Sequence, residues 1–134
     1  MQGLSEIIKI LICCLFSMLI GLEREHSGKS AGLRTTMLVA LGACLFGLIV
    51  ISLYGSNSID ISRLFYAPIV GIGFLGGGII MYNKGTAEGV TTSATLWATV
   101  AISLLVSLGK IFLAGFSTLI IYFILSLKYF EKKQ

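Results

Sequence analysis

The sequence predicts an all-α membrane protein, a single bundle of five transmembrane helices. Composition is the first reason. Of 134 residues, 56% are hydrophobic and only 12% are charged, about half of the roughly 25% charged content of soluble domains. The second is that the apolar residues gather into five runs, over residues 7–22, 36–53, 64–81, 92–108 and 111–127. At about 1.5 Å per residue, a helix of ~18 residues reaches ~27 Å, close to the ~30 Å hydrocarbon core of a bilayer. The third is that these runs are apolar on every side, residues 111–127 most plainly, whereas a membrane barrel strand alternates in polarity over about ten residues. A helix also satisfies its backbone amides within its own segment, as lipid demands. No Pro- or Ser-rich linker divides the chain, so residues 1–134 read as one domain.

Run one has the length of a signal core, but Gly21-Leu22-Glu23-Arg24-Glu25-His26 follows it. A cleavage site needs small residues there, so this run is expected to remain as the first helix. A charged hinge, residues 23–35, leads to run two, and a polar turn, 55–62, leads to run three. The turn 83–90 precedes run four, a tight Gly109-Lys110 joint precedes run five, and a basic tail starts at Lys128. Cys13, Cys14 and Cys44 all lie inside apolar runs, without a C-x-x-C or a histidine at metal spacing. They read as small hydrophobes, and no cofactor or metal site is expected. No nucleophile–base–acid set appears either, so an enzyme is not expected.

The net charge of +4 does not make a nucleic-acid patch, because the basic residues sit at the ends of the apolar runs, where membrane anchors belong. With five helices and the N-terminus outside, Arg24, Lys29, Arg34, Lys84, Lys128, Lys132 and Lys133 fall on the inner side. Lys9, Arg63 and Lys110 fall on the outer side. That bias follows the positive-inside rule.

Two motifs fail on context. Residues 71–76 match G-x-G-x-x-G, but a dinucleotide site needs a βαβ unit and an acid about 20 positions on, where Leu96 stands. Residues 26–30, His-Ser-Gly-Lys-Ser, resemble the end of a P-loop, but Glu23 occupies the first glycine position, and Glu23 and Glu25 would oppose a phosphate.

Gly71, Gly73, Gly76, Gly77 and Gly78 crowd run three. Gly73 and Gly77 have the small-xxx-small spacing that lets helix backbones touch. Leucine at either is expected to disturb folding more than leucine at Gly47. The alternative is a helix broken at the glycines, after Pro68, that offers backbone groups to an ion or water. In run four, Thr92, Thr95, Thr99, Ser103 and Ser107 form a hydroxyl stripe about 120° wide, continued by Glu88. It should face another helix, with the glycine face of run three the expected partner. Its hydroxyls either bond their own i−4 carbonyls or form a narrow polar seam. In the hinge, Glu25 and Lys29 have the spacing of a helical ion pair. Glu23 or Glu25 either anchors the helix end or reaches into the bundle mouth.

Three ordered segments resemble the membrane domain of the MgtC/SapB family: GLEREHSGKSAGLRTTMLVALGA over 21–43, GIGFLGGG over 71–78 and GVTTSATLWA over 89–98. The resemblance carries over the polar positions Glu23, Arg24, Glu25, Lys29, Arg34, Thr35, Asp60, Arg63, Thr91, Thr92 and Trp97, which Glu88 joins from the stripe. It implies a bacterial inner-membrane protein connected with adaptation to scarce magnesium and, in pathogens, survival inside host cells. Its partners would be membrane lipid, a second copy in a dimer, and another membrane complex, with rotary ATP synthase among the proposed targets of the family. The family's soluble domain after the fifth helix has no expected counterpart here. Ala67-Pro68 replaces a glutamine common shortly before the glycine segment, and Ser103 and Ser107 stand where the family favours glycine.

Regulation of other membrane machinery is the expected role, and transport of magnesium or another small ion the alternative. Magnesium takes octahedral oxygen ligands, usually including carboxylates. Runs two to five contain no acid, and Asp60 and Glu88 lie in loops on opposite sides. The charge bias yields a direct test of topology. A reporter fused after Gln134 should be active only in a form that works in the cytoplasm. Activity confined to the outer side would overturn both the orientation and the five-helix count.

Overall fold

In a computed structural model, residues 2–53, 61–83 and 86–128 are described. Asp60, Lys84, Lys132, Lys133 and most of the turn 55–62 lie outside the described residues. Five helices follow in order: α1 (Gln2–His26), α2 (Leu33–Ser52), α3 (Ile61–Ile79), α4 (Val90–Ser107) and α5 (Ile111–Ser126). Between α3 and α4, a short antiparallel hairpin of β1 (Met81–Asn83) and β2 (Thr86–Glu88) pairs Met81 with Glu88 and Asn83 with Thr86. By length and composition, α1, α2 and α4 can cross a membrane, and α3 and α5 contain shorter apolar helices. The fold is the all-α bundle expected of a membrane protein.

The helix ends follow from local chemistry. Gly28 (φ 62°) and Gly109 (φ 77°) take the left-handed conformation that ends a helix without a Cβ penalty. After each, an amide reaches back five residues: Lys29 N–H donates to the Arg24 carbonyl (3.1 Å) and Lys110 N–H to the Leu105 carbonyl (2.9 Å). Three residues, 108–110, therefore suffice to join α4 to α5. α1 begins before its apolar run and accommodates Lys9, whose Nζ donates to the Ser107 carbonyl at 2.8 Å. That carbonyl is at the negative end of the α4 dipole, a favourable place for a cation. The start of α1 thus lies beside the end of α4, so the two helices run antiparallel.

α2 and α4 form the centre, with α1 against α2, α3 against α4, and α5 against α1 and α4. Small side chains make this possible. Cys13, Ala40, Cys44 and Ala114 are buried with Ile20, Ile102 and Val106 in one core cluster. Ala31 and Ala43 pack with Ile72, Leu96 and Val100 in a second. Large apolar groups such as Phe74, Phe112 and Phe123 point outward, as suits lipid contact rather than water.

The hydroxyl stripe of α4 is buried along its whole length. Thr95, Thr99 and Ser103 donate to the carbonyls of Thr91, Thr95 and Thr99 at 2.7–2.8 Å, and Ser107 donates to Leu104 at 2.7 Å. Of the two readings left open, self-satisfied hydroxyls describe these four. The partner surface differs from the one expected. Ser107 packs on Gly47 of α2, and Ser103 lies beside Cys13 of α1. The glycine segment of α3 meets α4 at Gly76, which faces Ser93, a residue off the stripe.

Two expectations about glycine are corrected here. α3 runs unbroken through Pro68 and all five glycines, so the helix is not opened at that point. A Cβ added at Gly71, Gly73, Gly77 or Gly78 would meet nothing within 4 Å, whereas one at Gly47 would lie 2.6 Å from the Ser107 Cβ. The close approach of backbones is between α2 and α4, not on the Gly73–Gly77 face. Gly47→Leu should cost roughly 1–3 kcal/mol or more through overpacking, whereas Gly73→Leu and Gly77→Leu should stay within about 0.5 kcal/mol. Thermal unfolding and monodisperse yield in mild detergent measure the contrast, and equal behaviour of all three variants would contradict the α2–α4 contact.

Candidate functional site

The last turn of α1 carries consecutive charges that are both buried. Glu23 is 6% exposed and Arg24 2%. Successive residues on a helix point about 100° apart, and α1 is flanked by α2, α4 and α5, so both directions lead inward. Glu23 Oε1 accepts a hydrogen bond from Ser27 Oγ at 2.6 Å and lies 3.0 Å from Lys128 Nζ, just past the end of α5. Its other oxygen lies 3.5 Å from Arg24 Nη1, an ion pair too long to be a good hydrogen bond. Among the described residues, Glu23 Oε2, Arg24 Nε and Arg24 Nη2 have no hydrogen-bond partner. One anion thus serves two cations. Removing the carboxylate would leave a buried guanidinium without compensation, the costly way to break a buried pair.

Glu25 points out of this cluster and does different work. Its Oε2 accepts the Leu33 N–H at 2.8 Å. That amide opens α2, whose N-cap residue, Gly32, has no side chain to cap it. The carboxylate therefore satisfies an otherwise orphaned donor and complements the positive helix end. A Cβ at Gly32 would come within 2.8 Å of the same oxygen, so the glycine is needed for the cap to form across the hinge. The expected Glu25–Lys29 pair is not made. α1 stops at His26 and Lys29 lies beyond the left-handed Gly28, so their spacing of four is not measured along a helix. His26 Nδ1 lies 2.8 Å from the Leu22 carbonyl, an exposed contact within its own turn.

The structure divides the remaining expected site residues. Arg34 and Thr35 are exposed in the first turn of α2, whereas Thr36 is buried and donates to the Gly32 carbonyl at 2.8 Å. Lys29, Glu88, Thr91 and Thr92 line a separate cavity of about 500 Å³ where the hinge, the hairpin and the start of α4 meet. Arg63 is at the opposite end of α3 from that cavity. Trp97 is exposed on α4. Sequence reasoning missed Lys128 as the partner of Glu23, along with Ser27, Thr36 and the Lys9 contact. A signal for Lys128 existed: it is the first charge after run five, as Glu23 is the first after run one. Helices two places apart in an odd-numbered series run parallel.

These features define a polytopic α-helical membrane protein with a buried charge cluster at one mouth of its bundle. The MgtC family model matches residues 10–133, and the chain belongs to that family. Protein MgtC of Salmonella typhimurium (strain LT2) is 38% identical over 115 residues, covering 86% of this chain and 48% of that one. The protein named putative magnesium transporter YhiD, from Escherichia coli (strain K12), is 34% identical over 111 residues, 77% of this chain and 51% of its own. Protein SrpB of Synechococcus elongatus is 34% identical over 119 residues, 80% of this chain and 64% of its own. The chain spans about half the length of most of the curated relatives it matches. No solved structure matches.

The geometry separates the two hinge acids. Glu23→Gln should cost ~3–5 kcal/mol, the range for breaking a buried pair. Glu25→Gln keeps an acceptor oxygen for the Leu33 amide and should cost under about 1 kcal/mol, near the low end for a lost cap. Thermal unfolding in mild detergent reads both, and a double-mutant cycle with Lys128→Gln should show coupling at Glu23 and none at Glu25.

Proposed function

We propose that this protein is a non-enzymatic regulator in the bacterial inner membrane. In this reading it serves adaptation to low magnesium or intracellular stress by acting on other membrane machinery. Its N-terminus is outside and its C-terminus cytoplasmic, it self-associates as a dimer, and it contacts another membrane complex. The carrying observation is the state of Glu23. A magnesium site in a bundle mouth needs carboxylate oxygens free to coordinate. Glu23 instead lies against Lys128, Ser27 and Arg24, where a further cation would face two positive charges. The buried hydroxyls from Thr95 to Ser107 likewise spend their donors on backbone carbonyls of their own helix. This supports a packed seam over a conduction path.

The competing reading, transport of magnesium or another small ion, draws on the name of the YhiD relative. Flux through the purified protein in sealed vesicles decides between them. The expected result is no magnesium entry above that of empty vesicles. A saturable flux that Glu23→Gln abolishes would sink the regulatory reading. Copurification from mild detergent, followed by mass identification, should return a defined membrane complex in stoichiometric amount.

A further inference from the structure

We propose that the cavity beside the start of α4 binds a phosphoethanolamine group, the zwitterionic head of a membrane phospholipid. This inference is independent of the regulatory reading. The cavity, about 500 Å³, takes Lys29 and Ser30 from the hinge, Glu88 from β2, and Thr91 and Thr92 from the first turn of α4. α4 is 18 residues long, and its N-cap is Gly89, without a side-chain cap. The amides of its first turn therefore have no acceptor within the helix and form the positive end of its dipole, a favourable seat for a phosphate.

A second observation points to a ligand. Thr92 is 3% exposed and lines the cavity, yet its hydroxyl makes no hydrogen bond among the described residues. Thr95, Thr99 and Ser103 each donate to the carbonyl four residues back. For Thr92 that residue is Glu88, which lies in β2, outside the helix. The Thr92 side chain is thus buried in the bundle, with its hydroxyl unspent and at the cavity wall. Neither Glu23 nor Glu25 lines this space, so the acids that argue against an anion near Lys29 in the sequence are turned elsewhere.

The third observation selects the chemistry. Lys29 and Glu88 line the same cavity but form no ion pair, with each other or with any described residue. A simple anion would meet the Glu88 carboxylate, and a simple cation would meet Lys29 and the helix end. A ligand with both charges satisfies both walls. Its phosphate takes Lys29, the Thr92 hydroxyl and the first-turn amides, and its ammonium takes Glu88. Ile79 and Met81, at the apolar end of α3 and its exit, form the adjoining wall. That places the cavity where a lipid's glycerol and first acyl carbons would lie.

Native mass spectrometry tests this on the full chain, delipidated in detergent and then given equal amounts of phosphatidylethanolamine, phosphatidylcholine and phosphatidylglycerol. Wild type should retain phosphatidylethanolamine about tenfold over each of the others, the effect of one charge-assisted hydrogen bond. Glu88→Gln should abolish that preference, and Lys29→Gln should weaken retention of all three lipids alike, neither lowering the melting temperature, since both side chains are exposed. Retention of phosphatidylglycerol at the level of phosphatidylethanolamine would overturn the zwitterion assignment, as would an unchanged preference in Glu88→Gln. Free phosphoethanolamine at the lipid's concentration should leave the bound lipid in place. Its displacement of the lipid would assign the site to a soluble zwitterion and overturn the lipid assignment.

Discussion

The carboxylate of Glu23 ties the end of the first helix to the segment just after the last. It lies on α1, and its ion pair with Lys128 Nζ, at 3.0 Å, comes from the second residue after α5. Charges at a membrane mouth are costly unless paired or wetted, and this one is neither exposed nor free. Because the pair brings the end of α1 beside the end of α5, the chain from one to the other must cross an even number of times, the four passages of α2 to α5. At the other end of α1, Lys9 imposes the matching constraint by holding the Ser107 carbonyl. Two polar contacts, one near each end of α1, thereby fix how the later helices are placed. The apolar clusters fill the space between them.

The five helices were legible because length and hydrophobicity are local properties. Each apolar run became a helix whose ends moved only by a few residues, as at α1, where a basic side chain found a carbonyl. The pairing of helices was not legible in the same way. Small-xxx-small spacing says that a face can approach closely, not which face does. Gly73 and Gly77 have that spacing and point outward. Ala43 and Gly47 have it too, and with Ala40 and Cys44 they are the buried face of α2. Glycine density drew attention to α3, while the working contact uses one glycine among alanines and a cysteine.

The candidate site was half legible for a related reason. The hinge stood out as a dense set of charges, and the family's motif runs through it, but proximity in sequence does not sort the charges into groups. Local geometry does. Gly28 turns the chain so that Lys29 leaves the helix, Glu25 reaches forward to the amide of Leu33, and Glu23 reaches sideways to Lys128. Three charged residues of one hinge thus serve three separate environments. The Glu23 partner lies a whole chain away, where no short-range rule could find it.

The three-residue joint between α4 and α5 has a consequence for how the protein is made. α4 is the least apolar of the three long spans, because its buried stripe consists of hydroxyls. Entering a bilayer alone, it would present that face to lipid until it packed on α2. α5 emerges next from the ribosome, and residues 108–110 hold it against α4 in antiparallel contact. α5 has no charged residue between Ile111 and Ser126, so entry of the two segments as one helical hairpin would let the more apolar carry in the less apolar. The order of synthesis then matches the order of packing, since α2 and its Gly47 surface are already in the membrane when Ser107 arrives.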